Sequence, residues 1–363
     1  MTYLDYQATT PLAPEALEAM LPWLRDQHAN PHSAHRAGRA ARAAVEVARE
    51  HVAALLPAGG RVAFTSGATE ALNWALKGTA GPIVTIATEH AAVLDTARAV
   101  GATGREVTVL PVGLDGLVEE IAADRAIRPG VGLVAAMLVN NEIGVVQPIA
   151  RLAERAHAAG ALMLCDAVQG YGRVAVPDGC DMVAISAHKV HGPKGIGALW
   201  IRDGVTLDPL LHGGGQEAPG RSGTLSPALC AGFGAAAALM AARRDEDAGH
   251  VERLWRAATA RLDASWTING AAEPRYHGNL SIRRQGLDVN RLMSDLRDIA
   301  FSAGSACASG SGRPSHVLRA LGLSDAQARS SIRLGFGRYT GEAELVGAIE
   351  AIAAAAERQR VAA

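Results

Sequence analysis

The sequence has few cysteines and lacks long apolar runs. Its four cysteines, Cys165, Cys180, Cys230 and Cys307, are widely spaced and form no C-x-x-C pair, which argues against a disulfide framework or a zinc site. No uninterrupted apolar stretch reaches the roughly 18 residues expected of a membrane span, and the first residues lack the pattern of a secretion signal. We therefore expect a cytoplasmic protein with no membrane contact.

An excess of charge of one sign is also missing. The formal net charge is -1 at pH 7 and no basic tract is present, so direct nucleic-acid binding is not expected. With 363 residues, 49% of them hydrophobic, the chain is long enough for one large or two medium domains with a sizeable core.

Apolar strands alternate with helices through most of the chain. The predicted strands include PIVTIA, VGLVAAMLV, ALMLCD and DMVAIS, and this alternation indicates an α/β fold with a mostly parallel central sheet flanked by helices. The later segments predict shorter strands and helices of a smaller α+β domain. We assign residues 14–247 to the large domain and residues 1–13 and 248–363 to the small one.

Lys189 follows the buried strand DMVAIS in the stretch SAHKVHGPKGIGAL. Ligands of parallel sheets collect at the carboxyl ends of strands, and a partly desolvated lysine can form a Schiff base with an aldehyde. Ser186 and His188 precede Lys189, and the glycines after it let the backbone approach a ligand closely. The alternative is a solvated loop lysine, but no other lysine of the sequence is predicted in a comparable strand-end loop.

Asp166 ends another buried strand, ALMLCD. A buried carboxylate is costly unless it meets a cation, and the protonated pyridine nitrogen of pyridoxal 5′-phosphate (PLP) is such a cation. The combination of Lys189 and Asp166 therefore indicates a PLP site. The alternative for Asp166 alone is a cap of the following helix or turn.

Polar residues follow several other predicted strands. The segment SGATE, residues 66–70, opens a helix and suits an anion, although Ser66 or Thr69 could simply cap that helix. His90 could stack on a flat cofactor ring or cap the next helix. Asn141 and Gln169 could reach a cofactor or belong to turns.

The chain resembles the NifS/IscS-like cysteine desulfurases of the class-V aminotransferase family, in the branch with a flexible loop. The resemblance extends from Tyr3 to Thr340 and rests on the motifs SGATEALN, VNNEIG, CDAVQ, SAHKVHGPKGIGAL, GGGQEAPGRSGT and GSACASGSGRPSHVLRALG. It implies the PLP-dependent transferase fold type I. One departure concerns residues 218–220, Ala-Pro-Gly, where relatives usually have an arginine followed by glycine, although Arg221 remains.

The resemblance also implies roles for individual residues. Lys189, Cys307 and His90 would be catalytic, and Asn141 and Arg333 would bind the substrate. The residues implied at the cofactor are Ala68, Thr69, His90, Asn141, Asp166, Gln169, Ser186, His188, Lys189 and Thr224. Thr224 would reach the phosphate of the neighbouring subunit, which implies a homodimer. A strand arginine such as Arg333 is otherwise commonly a surface residue.

Cys307 lies in FSAGSACASGSG, a segment of small residues, whereas Cys165, Cys180 and Cys230 are predicted to be buried. The resemblance implies that PLP and Lys189 convert L-cysteine to L-alanine and leave a persulfide on Cys307. That sulfur would pass to acceptor proteins, chiefly an iron-sulfur scaffold, and Cys307 would bind a cluster only transiently, with no resident metal.

Three alternatives stay open from the sequence. Selenocysteine lyase activity would use the same chemistry. A class-V aminotransferase acting on another small amino acid would keep Lys189 and Asp166 but would not need Cys307. A non-catalytic interaction subunit would be expected to have lost Lys189 or Cys307, and the sequence has both.

Overall fold

The computed structural model describes residues 1–217, 220–304 and 314–361, so Ala218, Pro219 and Cys307 lie outside the described residues. The strands are β1 Thr2–Tyr3, β2 Gly60–Thr65, β3 Ile83–Ile86, β4 Val107–Leu110, β5 Leu133–Met137, β6 Leu162–Asp166, β7 Met182–Ser186, β8 Gly197–Arg202, β9 Trp266–Ile268, β10 Asn279–Arg284, β11 Ile299–Ala300, β12 Ser302–Ala303 and β13 Ser331–Gly335. The α-helices are α1 Pro14–Arg25, α2 Arg36–Ala53, α3 Ala68–Gly78, α4 Ala91–Gly101, α5 Glu120–Ala126, α6 Ile149–Ala158, α7 Pro227–Ala242, α8 Arg244–Thr259, α9 Val289–Asp295, α10 His316–Ala320, α11 Asp325–Arg329 and α12 Glu342–Val361.

Within these ranges a seven-stranded sheet has the order β2-β8-β7-β6-β5-β3-β4. Its pairs are parallel except for those that β8 makes with β2 and β7. Strands β3, β5 and β7 are buried along their whole length, as expected of a parallel sheet covered on both faces. The predicted mostly parallel α/β sheet is confirmed.

Alternate residues of the strands supply separate hydrophobic cores on the two faces of the sheet. Val134 and Ala136 of β5 join the core that includes α2, α6 and α7. Leu133 and Ala135 join the core that includes α3 and α4. Each fully buried branched side chain contributes about 1.5–3 kcal/mol of transfer free energy, which makes these two layers the main support of the strand ends.

A smaller four-stranded antiparallel sheet has the order β12-β13-β10-β9, and β1 pairs in parallel with β11. Its core combines Leu280 and Ile282 of β10, Ile332 and Leu334 of β13, and residues of α8 and α12. The domain boundaries given above stay a prediction. None of the described helices is long and apolar enough to cross a membrane.

The chain departs locally from the sequence-based expectations. In the smaller domain the sequence predicts a helix that begins at Pro314. Helix α10 instead begins at His316, because the Ser315 hydroxyl caps it by accepting a hydrogen bond from the Leu318 amide at 3.1 Å. Strand β8 was not predicted as a separate element. It packs tightly against the turn before α3, since a Cβ on Gly197 would lie 2.7 Å from the Gly67 Cα.

Candidate active site

A cavity of about 610 Å³ lies at the carboxyl ends of β5, β6 and β7. The strands run parallel, so their last residues meet at one edge of the sheet. Most of the predicted site residues line this cavity: Ala68, Thr69, His90, Asn141, Asp166, Gln169, Ser186, His188, Lys189 and Arg333. Thr224 does not line it and is exposed.

Lys189 ends a short 3-10 turn, Ala187–Lys189, that continues directly from β7. Its Nζ donates to the carbonyl oxygens of Gln7 at 2.6 Å and Ala8 at 2.8 Å. These two acceptors hold the amine inside the cavity. Gln7, Ala8 and Thr9 also line the cavity. Their role was not predicted from the sequence, because they precede Lys189 by about 180 residues.

Lys194 lies in the loop between β7 and β8 and lines the same cavity, so the expectation that no other lysine lies in a comparable strand-end loop is wrong. Lys194 lies in the turn that leads into the antiparallel strand β8, and this turn lies at the strand ends. The two lysines therefore require separate experimental tests.

Asp166 is the last residue of β6 and is only 2% exposed. Burial raises the pKa of its carboxyl to about 6, although the Val168 amide, which donates to Oδ1 at 3.0 Å, and the charge of Lys189 favour the ionised form. Asp166 accepts that hydrogen bond within a turn and also faces the cavity. A buried carboxyl of this kind favours a cationic ligand group.

Gln169 lies one turn after Asp166 and is 3% exposed. Its Nε2 donates to the Gln7 carbonyl at 3.0 Å, whereas its Oε1 is buried with no hydrogen-bond partner among the described residues. An unpartnered amide oxygen on a cavity wall is costly, and a ligand with a donor there would satisfy it.

His90 caps α4, as one of the two sequence-based interpretations predicted, and it also lines the cavity. Its Nδ1 accepts a hydrogen bond from the Ala92 amide at 3.1 Å, which leaves the ring proton of the neutral form on Nε2. Burial, followed by the charges of Lys189 and His316, lowers the pKa of His90. The imidazole is therefore favoured in its neutral state.

The turn from Ser66 to Thr69 leads into α3, whose N-terminus borders the cavity. Glu70 accepts a hydrogen bond from the Ser66 amide at 2.7 Å and forms a salt bridge with Arg221 at 2.8 Å. Burial opposes ionisation of Glu70, but these hydrogen bonds outweigh it and lower its pKa. Arg221 is thus engaged in fixing this turn.

Arg333 is buried within β13 at 1% exposure, so the alternative of a surface arginine is wrong. Its Nη2 donates to Asp5 Oδ1 at 2.8 Å and its Nη1 to the Asn141 carbonyl at 3.1 Å. Its Nε is buried without a partner in the described part of the chain. A guanidinium at the cavity wall suits a ligand carboxylate.

The remaining thiols are buried, as predicted. Cys165, Cys180 and Cys230 are 0% exposed. A hydrogen bond with Cys180, together with burial, raises the pKa of Cys165 well above its ordinary value, and burial raises that of Cys230 to about 12. These two thiols are poor nucleophiles because the thiolate is disfavoured.

The sequence profile of the family described as aminotransferase class-V matches residues 2–346. The mitochondrial cysteine desulfurase of Saccharomyces cerevisiae is 44% identical over 366 residues, which cover 96% of this chain and 74% of that protein. Cysteine desulfurase IscS of Rickettsia akari is 40% identical over 376 residues, covering 99% of this chain and 92% of that protein.

Solved structures share the fold. A NifS-like protein superposes with a TM-score of 0.89 at 32% identity, covering 97% of this chain and 98% of its own. The structure titled SspA in complex with cysteine gives a TM-score of 0.83 at 33% identity, with coverage of 94% and 100%. The similarity therefore includes both the large parallel sheet and the smaller antiparallel one.

Proposed function

The chain belongs to the class-V aminotransferase family and is a PLP-dependent cysteine desulfurase, and on this premise we propose how its residues divide the reaction. The substrate is L-cysteine and the products are L-alanine and a persulfide on Cys307. The observation that carries the proposal is the single cavity lined by Lys189, Asp166, His90 and Arg333.

The cavity residues fit PLP. Asp166 provides the buried carboxyl that a pyridinium nitrogen requires, and Gln169 Oε1 lacks a partner among the described residues at the same wall. Ala68 and Thr69, at the N-terminus of α3, would hold the phosphate, with Ser186 and His188 beside it. His90 would lie against the ring. When bound, PLP supplies the electron sink for reactions at the substrate α-carbon.

Lys189 would bind the cofactor aldehyde and then move the α-proton of the substrate. For this second task its Nζ must be neutral and must leave the carbonyl oxygens of Gln7 and Ala8. Asp166 would pair its negative charge with the pyridine nitrogen, and the Val168 amide, which donates to its Oδ1, favours the ionised form.

Arg333 would orient the substrate through its carboxylate. Its buried Nε lacks a partner among the described residues, and its two other nitrogens are fixed by Asp5 and by the Asn141 carbonyl, so the guanidinium is held in place before cysteine binds. Asn141 lines the cavity beside it and would contact both cofactor and substrate.

Cys307, outside the described residues, would remove the sulfur. Its thiolate attacks the substrate sulfur and forms an S–S bond as the Cβ–S bond breaks. The electron pair of the broken bond stays with the carbon fragment, which is protonated and leaves as alanine. The outer persulfide sulfur then passes to an acceptor thiol, for which we propose an iron-sulfur scaffold protein. Selenocysteine lyase and aminotransferase activities are not favoured, because the relatives are named as desulfurases.

We also propose a cytoplasmic homodimer. Thr224 is exposed and does not line the cavity of its own chain, which suits the implied reach to a neighbour's phosphate. Light scattering that finds an active monomer would contradict the dimer, and fractionation of the source cells tests the compartment.

The experiment that tests the proposed function is incubation of the purified holoenzyme with L-cysteine, following alanine and sulfide together in the presence of a reducing thiol. We expect equal molar amounts of the two products. Formation of a keto acid in place of alanine would reject desulfuration in favour of amino-group transfer.

A further inference from the structure

Glu89 is a buried carboxyl group next to the cofactor cavity for which the reaction above has no role. It lies in the turn after β3, directly before His90, and is 1% exposed. Its Oε1 accepts a hydrogen bond from the Met137 amide at 2.6 Å. Met137 is the last residue of β5 and the register partner of Asp166 on β6. Glu89 is thereby fixed to the strand end beside Asp166.

The surroundings of Glu89 favour its neutral form. Its Oε2 is buried with no hydrogen-bond partner in the described ranges. If Glu89 were ionised, its carboxylate would therefore accept one hydrogen bond, from the Met137 amide, and its second oxygen would accept none from these residues. Burial raises the pKa of Glu89 well above its ordinary value, and the negative charge of Asp166 raises it further. Two buried carboxyl groups this closely coupled do not both ionise readily.

The backbone around Glu89 is held by contacts from other elements. His316 Nε2 donates to the Glu89 carbonyl at 2.8 Å, and Asn140 Nδ2 donates to the Thr88 carbonyl at 2.7 Å. The Glu89 side chain adds a third attachment, to β5. The turn that carries His90 into the cavity is therefore fixed from two directions.

We propose that Glu89 is a positioning residue of the cofactor site: it remains a neutral acid, ties the His90 turn to β5, and leaves the negative charge to Asp166. This inference rests on the proposed PLP site, but none of its three tests needs turnover, and the second needs no cofactor. A charged Glu89 would instead place a second anion beside the position of the pyridine nitrogen.

The first test is infrared spectroscopy of the holoenzyme at pH 7, where a protonated carboxylic acid has a carbonyl band distinct from that of a carboxylate. We expect such a band in the wild type and its loss in Glu89→Gln. Asp181→Asn is the matched control, because Asp181 is a buried carboxyl that accepts a strand amide, from Met163, at 2.7 Å but pairs with Arg202 at 3.5 Å. A band unchanged by Glu89→Gln would overturn the proposal.

The second test is the pH dependence of thermal stability. A neutral Glu89 binds a proton in the folded state that the unfolded chain releases above about pH 4.3, so wild-type stability falls as the pH rises above that value. Glu89→Gln lacks this loss. The melting temperature of the variant minus that of the wild type should therefore increase between about pH 5 and about pH 8. Over this range the folding equilibrium constant of the variant, relative to that of the wild type, should rise by up to about tenfold per pH unit. A difference independent of pH would show that Glu89 is ionised and overturn the proposal.

The third test is PLP affinity, measured by titrating the cofactor-free protein. Glu89→Gln keeps an acceptor for the Met137 amide and a neutral charge, so its dissociation constant should stay within about twofold of wild type. Glu89→Ala leaves that amide unpaired and should bind PLP about tenfold more weakly. Equal affinities of Glu89→Ala and wild type would overturn the positioning role. The proposed function would fail separately if the wild-type enzyme released no alanine from cysteine although all three tests gave the expected results.

Discussion

The Lys189 Nζ donates a hydrogen bond to the Gln7 carbonyl oxygen at 2.6 Å, across 182 residues of the chain. The Gln7 carbonyl and the Ala8 carbonyl, which accepts at 2.8 Å, thus provide two fixed acceptors for the Lys189 amine at the carboxyl ends of the parallel strands. The N-terminal segment is therefore part of the active-site wall, and Gln7 also accepts from the Gln169 amide group at 3.0 Å. A single backbone segment thus aligns the lysine and the glutamine of the cofactor site.

Lys189 is predicted to be the attachment point of PLP even though Lys194 lines the same cavity. Lys189 continues directly from the buried strand β7, whose position is fixed by both cores, so its amine is the better placed of the two. Borohydride reduction of the holoenzyme followed by peptide mapping should find the pyridoxyl group on Lys189. Lys189→Ala should lose the yellow colour, and Lys194→Ala should keep it. Label on Lys194 in the wild type would reject the assignment.

Asp166→Asn is predicted to slow exchange of the cysteine α-proton by at least about a hundredfold while PLP remains bound. The amide has nearly the same shape as the carboxyl but provides no negative charge for the pyridine nitrogen. Proton NMR in deuterium oxide measures the exchange. Exchange at the wild-type rate would contradict the charge role of Asp166, and Asp181→Asn serves as a control for loss of a buried carboxyl at the start of β7.

Arg333→Lys is predicted to raise the KM for cysteine by about tenfold or more and to affect kcat less. Lysine keeps the charge next to Asp5 but cannot reproduce the fork that contacts Asp5, Asn141 and a carboxylate at once. Steady-state kinetics with circular dichroism as a folding check measure this. Arg283→Lys on the neighbouring strand β10 is the control, because Arg283 does not line the cavity. A KM equal to that of wild type would remove Arg333 from substrate binding.

The strand-end residues could be predicted because parallel strands bring their carboxyl ends together. Lys189, Asp166 and Asn141 follow apolar runs that are recognisable in the sequence, and the structure brings all three to one cavity. The strand, glycine turn and helix start at residues 66–70 indicate an anion site or a simple helix cap, and it is the family resemblance that implies a phosphate role for Ala68 and Thr69.

The contacts that the sequence could not reveal are those between distant segments. The Asp5–Arg333 ion pair at 2.8 Å joins residues 328 positions apart, and no local pattern indicates it. The Arg221–Glu70 pair joins the glycine-rich loop to α3 in the same way. The burial of Glu89 was missed because a charged residue in a turn is normally exposed, and its strand-amide partner becomes visible only in the folded sheet.

We propose that Cys307, and not a buried cysteine, removes the sulfur. The direct measurement is mass spectrometry of the protein after brief exposure to cysteine, combined with alanine release, in wild type, Cys307→Ser and Cys230→Ser. We expect a persulfide on Cys307 in wild type and in Cys230→Ser. In Cys307→Ser we expect PLP binding without a persulfide and less than about 1% of the wild-type alanine release, because a serine hydroxyl is far less acidic than a thiol. Normal alanine release by Cys307→Ser, or a persulfide on Cys180 or Cys230, would contradict this proposal.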